Sequence, residues 1–169
     1  MTIRRLVPAD ATSYRSLMLD AYERHPDAFT SSLSERAQEP LAWWESRLSA
    51  EPEASEMVLG SIHDGQLAGV IGLAFQRPER VRHKATVFGL YVPAGFRRQG
   101  IGHDLLIAAL AATRDRHYVK VAQLTVTSGN TNAEALYASC GFESFGVEPL
   151  AVATDSGFVS KIHMWRDLR

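Results

Sequence analysis

Cysteine occurs once in this sequence, at Cys140, which excludes an internal disulfide framework and a zinc site built on cysteines. Charge of one sign is also missing. The 18 Lys and Arg stand against 19 Asp and Glu, so no electrostatic footprint for nucleic acid or an anionic membrane surface is present. No apolar run reaches bilayer-spanning length, and the N-terminus lacks the pattern of a signal peptide. The expectation is a soluble cytoplasmic protein without nucleic-acid or membrane partners. Repeats, low-complexity tracts and long linkers are absent too. At 169 residues the chain is long enough to bury a sizeable core, and residues 1–169 read as one domain.

What is present centres on the stretch from Val87 to Thr113. Val87, Phe88, Leu90, Tyr91 and Val92 make a short apolar run of strand-forming residues. Pro93, Ala94 and Gly95 end it. Arg97-Arg98-Gln99-Gly100-Ile101-Gly102 follows, and then Leu105, Leu106, Ala109 and Leu110 fall at one-turn helical spacings. A glycine-rich turn that opens a helix suits an anion. The first N–H groups of the helix lack intrahelical partners, and the dipole favours negative charge. Gly100 and Gly102 let a phosphate come close to the backbone, and Arg97 and Arg98 can add charge-assisted bonds.

Two common phosphate-binding patterns do not fit. A P-loop needs Lys-Ser or Lys-Thr after the second glycine, and Gly102 is followed by His103. The dinucleotide fingerprint needs a third glycine where Leu105 stands. What remains, Arg97-x-x-Gly100-x-Gly102, closely resembles the coenzyme A signature Q/R-x-x-G-x-G/A of the GNAT N-acyltransferase superfamily. Leu90-Tyr91-Val92-Pro93 resembles that family's preceding strand. Asn132, Ala135, Leu136, Tyr137, Gly141 and Phe142 resemble its downstream N-x-x-A-x-x-L-Y-x-x-x-G-F pattern, with Leu136-Tyr137 following Ala135 directly. The resemblance covers roughly Phe88 to Phe142.

Elsewhere the pattern alternates between the two periods. Ile3 to Val7 reads as a strand, and Pro8 to Asp10 as a turn. A helix then carries Tyr14, Leu17, Met18, Ala21 and Tyr22 on one face, and His25-Pro26 ends it. Asp27 to Ser34 reads as loop, before a helical region interrupted near Pro40. Trp43 and Trp44 there are neighbours, so one faces the core and the other is half exposed, or else one lines an acceptor cleft. Met57–His63 and Leu67–Gln76 are strands joined at Asp64-Gly65, a hairpin signal. A central strand begins near Lys84. After the Gly100–Arg116 helix come a strand at Val119–Thr127, a helix at Thr131–Ser139 with Thr131 as its cap, and strands at Phe142–Val147 and Phe158–Trp165. A strand-helix-strand unit makes its two strands parallel. The class is α+β, a mixed, mostly antiparallel sheet of about seven strands flanked by about four helices. The resemblance implies the same acyl-CoA N-acyltransferase fold.

The implied activity is transfer of an acetyl group from acetyl-CoA to a primary amine of a small molecule or peptide, by direct attack in a ternary complex. The implied cosubstrate site comprises Leu90, Tyr91 and Val92 on the strand, and Arg97, Arg98, Gln99, Gly100, Ile101, Gly102 and His103 in the turn. Asn132 and Tyr137 on the later helix complete it. Leu90–Val92 is expected to pair strand-like with the pantetheine arm. A bulge near Gly89 would free backbone groups for this and leave the Val92 N–H as oxyanion donor. Tyr137 is the expected general acid for the leaving thiolate. Many relatives carry a Glu on the central strand as base, yet Ala85 to Val92 holds no carboxylate. His83 is the candidate general base, with Glu79 and His163 behind it. A water relay, or an acceptor that arrives neutral, would need no base. Cys140 has no paired His in its local sequence and reads as a buried structural residue. No metal is expected, and the oligomeric state reads as monomer or homodimer. The missing strand carboxylate also motivates an alternative, a non-catalytic acyl-CoA sensor.

Overall fold

Local patterning accounts for most of the elements in the computed structural model, which describes residues 1–169. In chain order they are β1 (Thr2–Arg5), α1 (Ala11–Arg24), α2 (Leu33–Ala37), α3 (Leu41–Ser46), β2 (Glu56–His63), β3 (Gln66–Phe75) and β4 (Lys84–Tyr91). Then come α4 (Ile101–Asp115), β5 (Val121–Thr127), α5 (Thr131–Ser139), β6 (Glu143–Thr154) and β7 (Gly157–Asp167). Asp64 and Gly65 take φ values of 47° and 78° and join β2 to β3 as a two-residue hairpin turn. Ser32 caps α2, its hydroxyl accepting from the Glu35 N–H while its own N–H donates to the Glu35 carboxylate.

The strands form one sheet in the order β1-β2-β3-β4-β5-β7-β6. Every neighbouring pair is antiparallel except β4 and β5, which α4 connects. The fold is therefore α+β with a mixed sheet. Successive residues of a strand point to opposite faces, so the sheet carries two cores. On one face Ile101, Leu105, Leu106, Ala109 and Leu110 of α4 pack against Ile71, Leu73, Ala85 and Val87. On the other, Tyr14, Leu17, Met18 and Ala21 of α1 pack with Trp44, Leu48, Val58 and Val70.

Two irregularities in β4 open the sheet. Val70 pairs with Tyr91 and Gly72 with Phe88, so Gly89 and Leu90 together oppose Ile71. This is the bulge expected near Gly89, whose φ of 61° suits a residue without Cβ. On the other side, β4 and β5 pair only from Lys84 to Thr86 and then part.

Several boundaries differ from those read in the sequence. Pro40 splits the second helical region into α2 and α3, because Pro cannot continue a helix, so five α-helices flank the sheet. The segment read as loop, Asp27–Ser34, contains part of a one-turn 3-10 helix and the start of α2. β6 runs on to Thr154, well past Val147. It is an edge strand, where Pro149 is tolerated, and a register shift between Glu148 and Val152 absorbs the irregularity. The cap of α5 is Asn130, not Thr131: its side-chain oxygen accepts from the Ala133 N–H at 3.3 Å.

Candidate active site

The gap between β4 and β5 opens into a cavity of about 870 Å3. One end is formed by the turn into α4 and by α5. Gly100 holds a left-handed φ of 78° and its carbonyl accepts the first bond of α4, from Asp104 N at 3.0 Å. The preceding amides of Ile101, Gly102 and His103 have no backbone acceptor and face no competing intrahelical bond. A phosphate could take them. Asn132, Leu136 and Tyr137 of α5 line the same end.

Tyr137 packs edge-on against Phe142, with ring centres 6.1 Å apart. Burial pushes its phenol up to about 12, so it remains a proton donor at neutral pH.

The side chain of Arg97 does not point freely at a ligand. Its Nε donates to the Val92 carbonyl at 3.0 Å, and its Nη2 lies 2.9 Å from His25 Nε2. Burial, and secondarily Arg97, hold His25 below its usual range, so its ring is neutral and accepts the bond. Beside it, the Tyr91 hydroxyl donates to Asp20 at 2.6 Å, and Asp20 pairs with Arg24. These contacts tie the end of α1 to the strand and turn that form the cavity.

Further lining comes from α1, the α2–α3 segment, β4 and β7. Tyr14, Met18, Tyr22, Arg36, Arg47 and Phe88 belong to it, together with Lys161 of β7. Burial pushes the Tyr14 phenol up to about 12. Lys161 is buried, which lowers its pKa, and its Nζ donates to the Ala28 carbonyl at 3.3 Å. No Asp or Glu lines the cavity. Nor is any group of His, Cys, Asp and Glu arranged to hold a metal ion.

Of the residues singled out in the sequence, Leu90, Tyr91, Val92, Arg97, Arg98, Gly100, Ile101, Gly102, His103, Asn132 and Tyr137 all line this cavity. Gln99 does not, and neither does His83. His83 precedes β4, and its carbonyl accepts from Lys120 and Val121. At about 3.3 Å per residue of strand it lies roughly 20 Å from Leu90. Glu79 and His163 are also off the cavity, and His163 is engaged with Glu148 at 2.7 Å. Cys140 is buried and its carbonyl receives Arg166. Trp44 is a core residue, Trp43 is half-buried, and neither lines the cavity. Sequence reading missed His25, Arg36, Arg47 and Lys161. Only the bracketing of Trp43 by Arg36 and Arg47 gave a local hint.

A family model described as "Acetyltransferase (GNAT) family" matches residues 18–142, most of the chain, and the protein belongs to that family. It is thus an acetyltransferase-class chain on the acyl-CoA N-acyltransferase fold. Among curated proteins no match was found. A GNAT-family acetyltransferase from Streptococcus pneumoniae is 22% identical over 99% of each chain, with a TM-score of 0.85. A ribosomal-protein-alanine N-acetyltransferase from Brucella melitensis is 27% identical over 99% of this chain and 100% of its own, with a TM-score of 0.80. The putative acetyltransferase yncA from Salmonella typhimurium, solved with acetyl-CoA, is 23% identical over 100% of this chain and 94% of its own, with a TM-score of 0.81. No helix of the chain is long and apolar enough to cross a membrane.

Proposed function

We propose that residues 1–169 act as one catalytic domain that transfers an acetyl group from acetyl-CoA to a primary amine of a small molecule or peptide, by direct attack in a ternary complex. One observation carries this reading. The unpartnered amides at the start of α4 and the protonated Tyr137 open into the same cavity, whose other end has room for an acceptor. The amides of Ile101, Gly102 and His103, with Arg98, suit the pyrophosphate. The bulge at Gly89–Leu90 leaves backbone groups of β4 for the pantetheine arm, and the Val92 N–H suits the oxyanion. The neutral amine adds to the acetyl carbonyl to give a tetrahedral oxyanion, whose collapse breaks the C–S bond as Tyr137 gives its proton to the leaving sulfur; the proton shed by the new amide nitrogen passes to water, and water restores the phenol.

Proximity carries much of the barrier lowering, because no carboxylate base faces the site. His83 is expected to contribute nothing: His83→Ala should leave the acidic limb of the pH–rate profile where it is in the parent protein. A shifted limb would restore His83 as base.

Titration calorimetry with acetyl-CoA, beside dephospho-CoA and ATP, tests the first half of the reading. Micromolar acetyl-CoA binding supports it, and preference for ATP or for nothing removes it. Thiol release across an amine panel tests the second half. The absence of a lining carboxylate favours one competing reading, an acyl-CoA sensor, which would bind acetyl-CoA and release no thiol with any amine.

A further inference from the structure

The acceptor end of the cavity is basic, and no acid lines it. Arg36, Arg47 and Lys161 line the cavity, and none of the lining residues is Asp or Glu. Both guanidiniums are held in place by a single ring. The Arg36 Cζ lies 4.5 Å and the Arg47 Cζ 4.8 Å from the Trp43 centre. Arg47 also lies 5.5 Å from the ring of Phe88, which itself lines the cavity. Arg36 pairs with no carboxylate. Its Nη2 donates to Ser31 Oγ at 2.7 Å, and its buried Nε has no partner. Arg47 has only Glu56, at 3.3 Å and outside the cavity.

A guanidinium fixed against an aromatic ring, beside a cavity that no acid lines, is preorganised for an anion that arrives with a ligand. The phosphates of acetyl-CoA have their own end, at the start of α4. The anion therefore belongs to the other substrate. We propose that the acceptor is an amine that also bears an oxyanion, a carboxylate or a phosphate, and that Arg36 and Arg47 hold that oxyanion. This rests on the N-acetyltransferase reading above.

The guanidinium fork matches the two oxygens of such a group. A polyamine would meet like charge there and find no acid to pair with. The oxyanion anchors the acceptor.

The test is thiol release from acetyl-CoA with matched acceptors. L-amino acids are set beside their carboxamides, O-phosphoethanolamine beside ethanolamine, and spermidine is included. The anion-bearing member of a pair should be preferred by about tenfold or more in kcat/KM, a scale set by one charge-assisted contact. Which pair responds separates carboxylate from phosphate. Arg36→Gln and Arg47→Gln should each raise the acceptor KM by about tenfold and leave the KM for acetyl-CoA unchanged, and Arg36→Lys should recover part of the loss. Preference for the carboxamides, ethanolamine or spermidine overturns the proposal. So does a change in the acetyl-CoA KM in place of the acceptor KM, or wild-type behaviour of both Gln variants. If no amine releases thiol, the acetyl-transfer reading is what fails. Melting of the CoA-loaded protein with the same compounds then decides the anion site. Stabilisation by the anion-bearing members that is lost in Arg36→Gln upholds it, and its absence in the parent protein overturns it.

Discussion

Burial alone raises the Tyr137 phenol to about 12, with no charge or hydrogen bond contributing. Tyr137→Phe is expected to lower kcat by about 100-fold or more, the usual range for a general acid, with acetyl-CoA affinity unchanged in calorimetry. The folded pKa lies above the unfolded value of about 10, so the neutral phenol's contribution to stability is complete below that pH. It is lost as pH rises through about 12. Any fall in rate caused by Tyr137 should therefore begin above pH 10, which a pH–rate profile of the parent protein reads directly. Gly102 gives a second residue-scale test. A Cβ there would sit 3.5 Å from Leu136 and 3.9 Å from Val92, ordinary contacts, so Gly102→Glu should fold. Its carboxylate would repel a pyrophosphate, and acetyl-CoA affinity should fall by roughly tenfold or more, with melting unchanged. Tyr137 and Gly102 were legible as cavity residues, because chain residues close to each of them line the cavity too. Arg36, Arg47 and Lys161 were not, since they reach the cavity only through packing of distant segments. His83 lies off the cavity because closeness in sequence along a strand is distance in space.

At the scale of elements, α3 acts through what it supports. Trp43→Leu removes two stacked guanidinium contacts, about 0.5–1 kcal/mol each, and should cost about 1–2 kcal/mol in urea unfolding. The acceptor KM should rise with it, because Arg36 and Arg47 lose their common support. The end of α4 is fixed differently. Arg116 donates from one nitrogen to the carbonyls of Pro52 and Ala54, both at 2.9 Å, and covers the ring of Phe75 at 3.6 Å. Arg116→Met leaves two carbonyls without their donor and should lower stability by about 2–4 kcal/mol, with acetyl-CoA affinity retained. The loop that α4 clamps is not visible in a periodicity reading, which finds helices and strands but not what ties their ends. The extension of β6 was hidden for a related reason. Pro149 argues against a strand in general but not against one at an edge, and edge position is a property of the finished sheet.

The order of elements along the chain could be read almost whole, because the hairpin at Asp64-Gly65 and the strand-helix-strand unit are local. Their order across the sheet could not, since β7 enters between β5 and β6 only when the last two strands fold back. The bulge near Gly89 was legible, but where β4 parts from β5, after Thr86, was not, since it depends on how the two strands meet in the finished sheet. That parting has a consequence for the molecule's motions. From Lys84 to Thr86 β4 is flanked on both sides, whereas from Val87 onward it has β3 alone. One continuous strand should thus hold both slow and fast amide hydrogens: minutes-to-hours exchange near its start, and far quicker exchange wherever an N–H of its second half faces the gap. Acetyl-CoA should slow the second set and leave the first alone, so that deuterium uptake along eight residues records whether the site is filled.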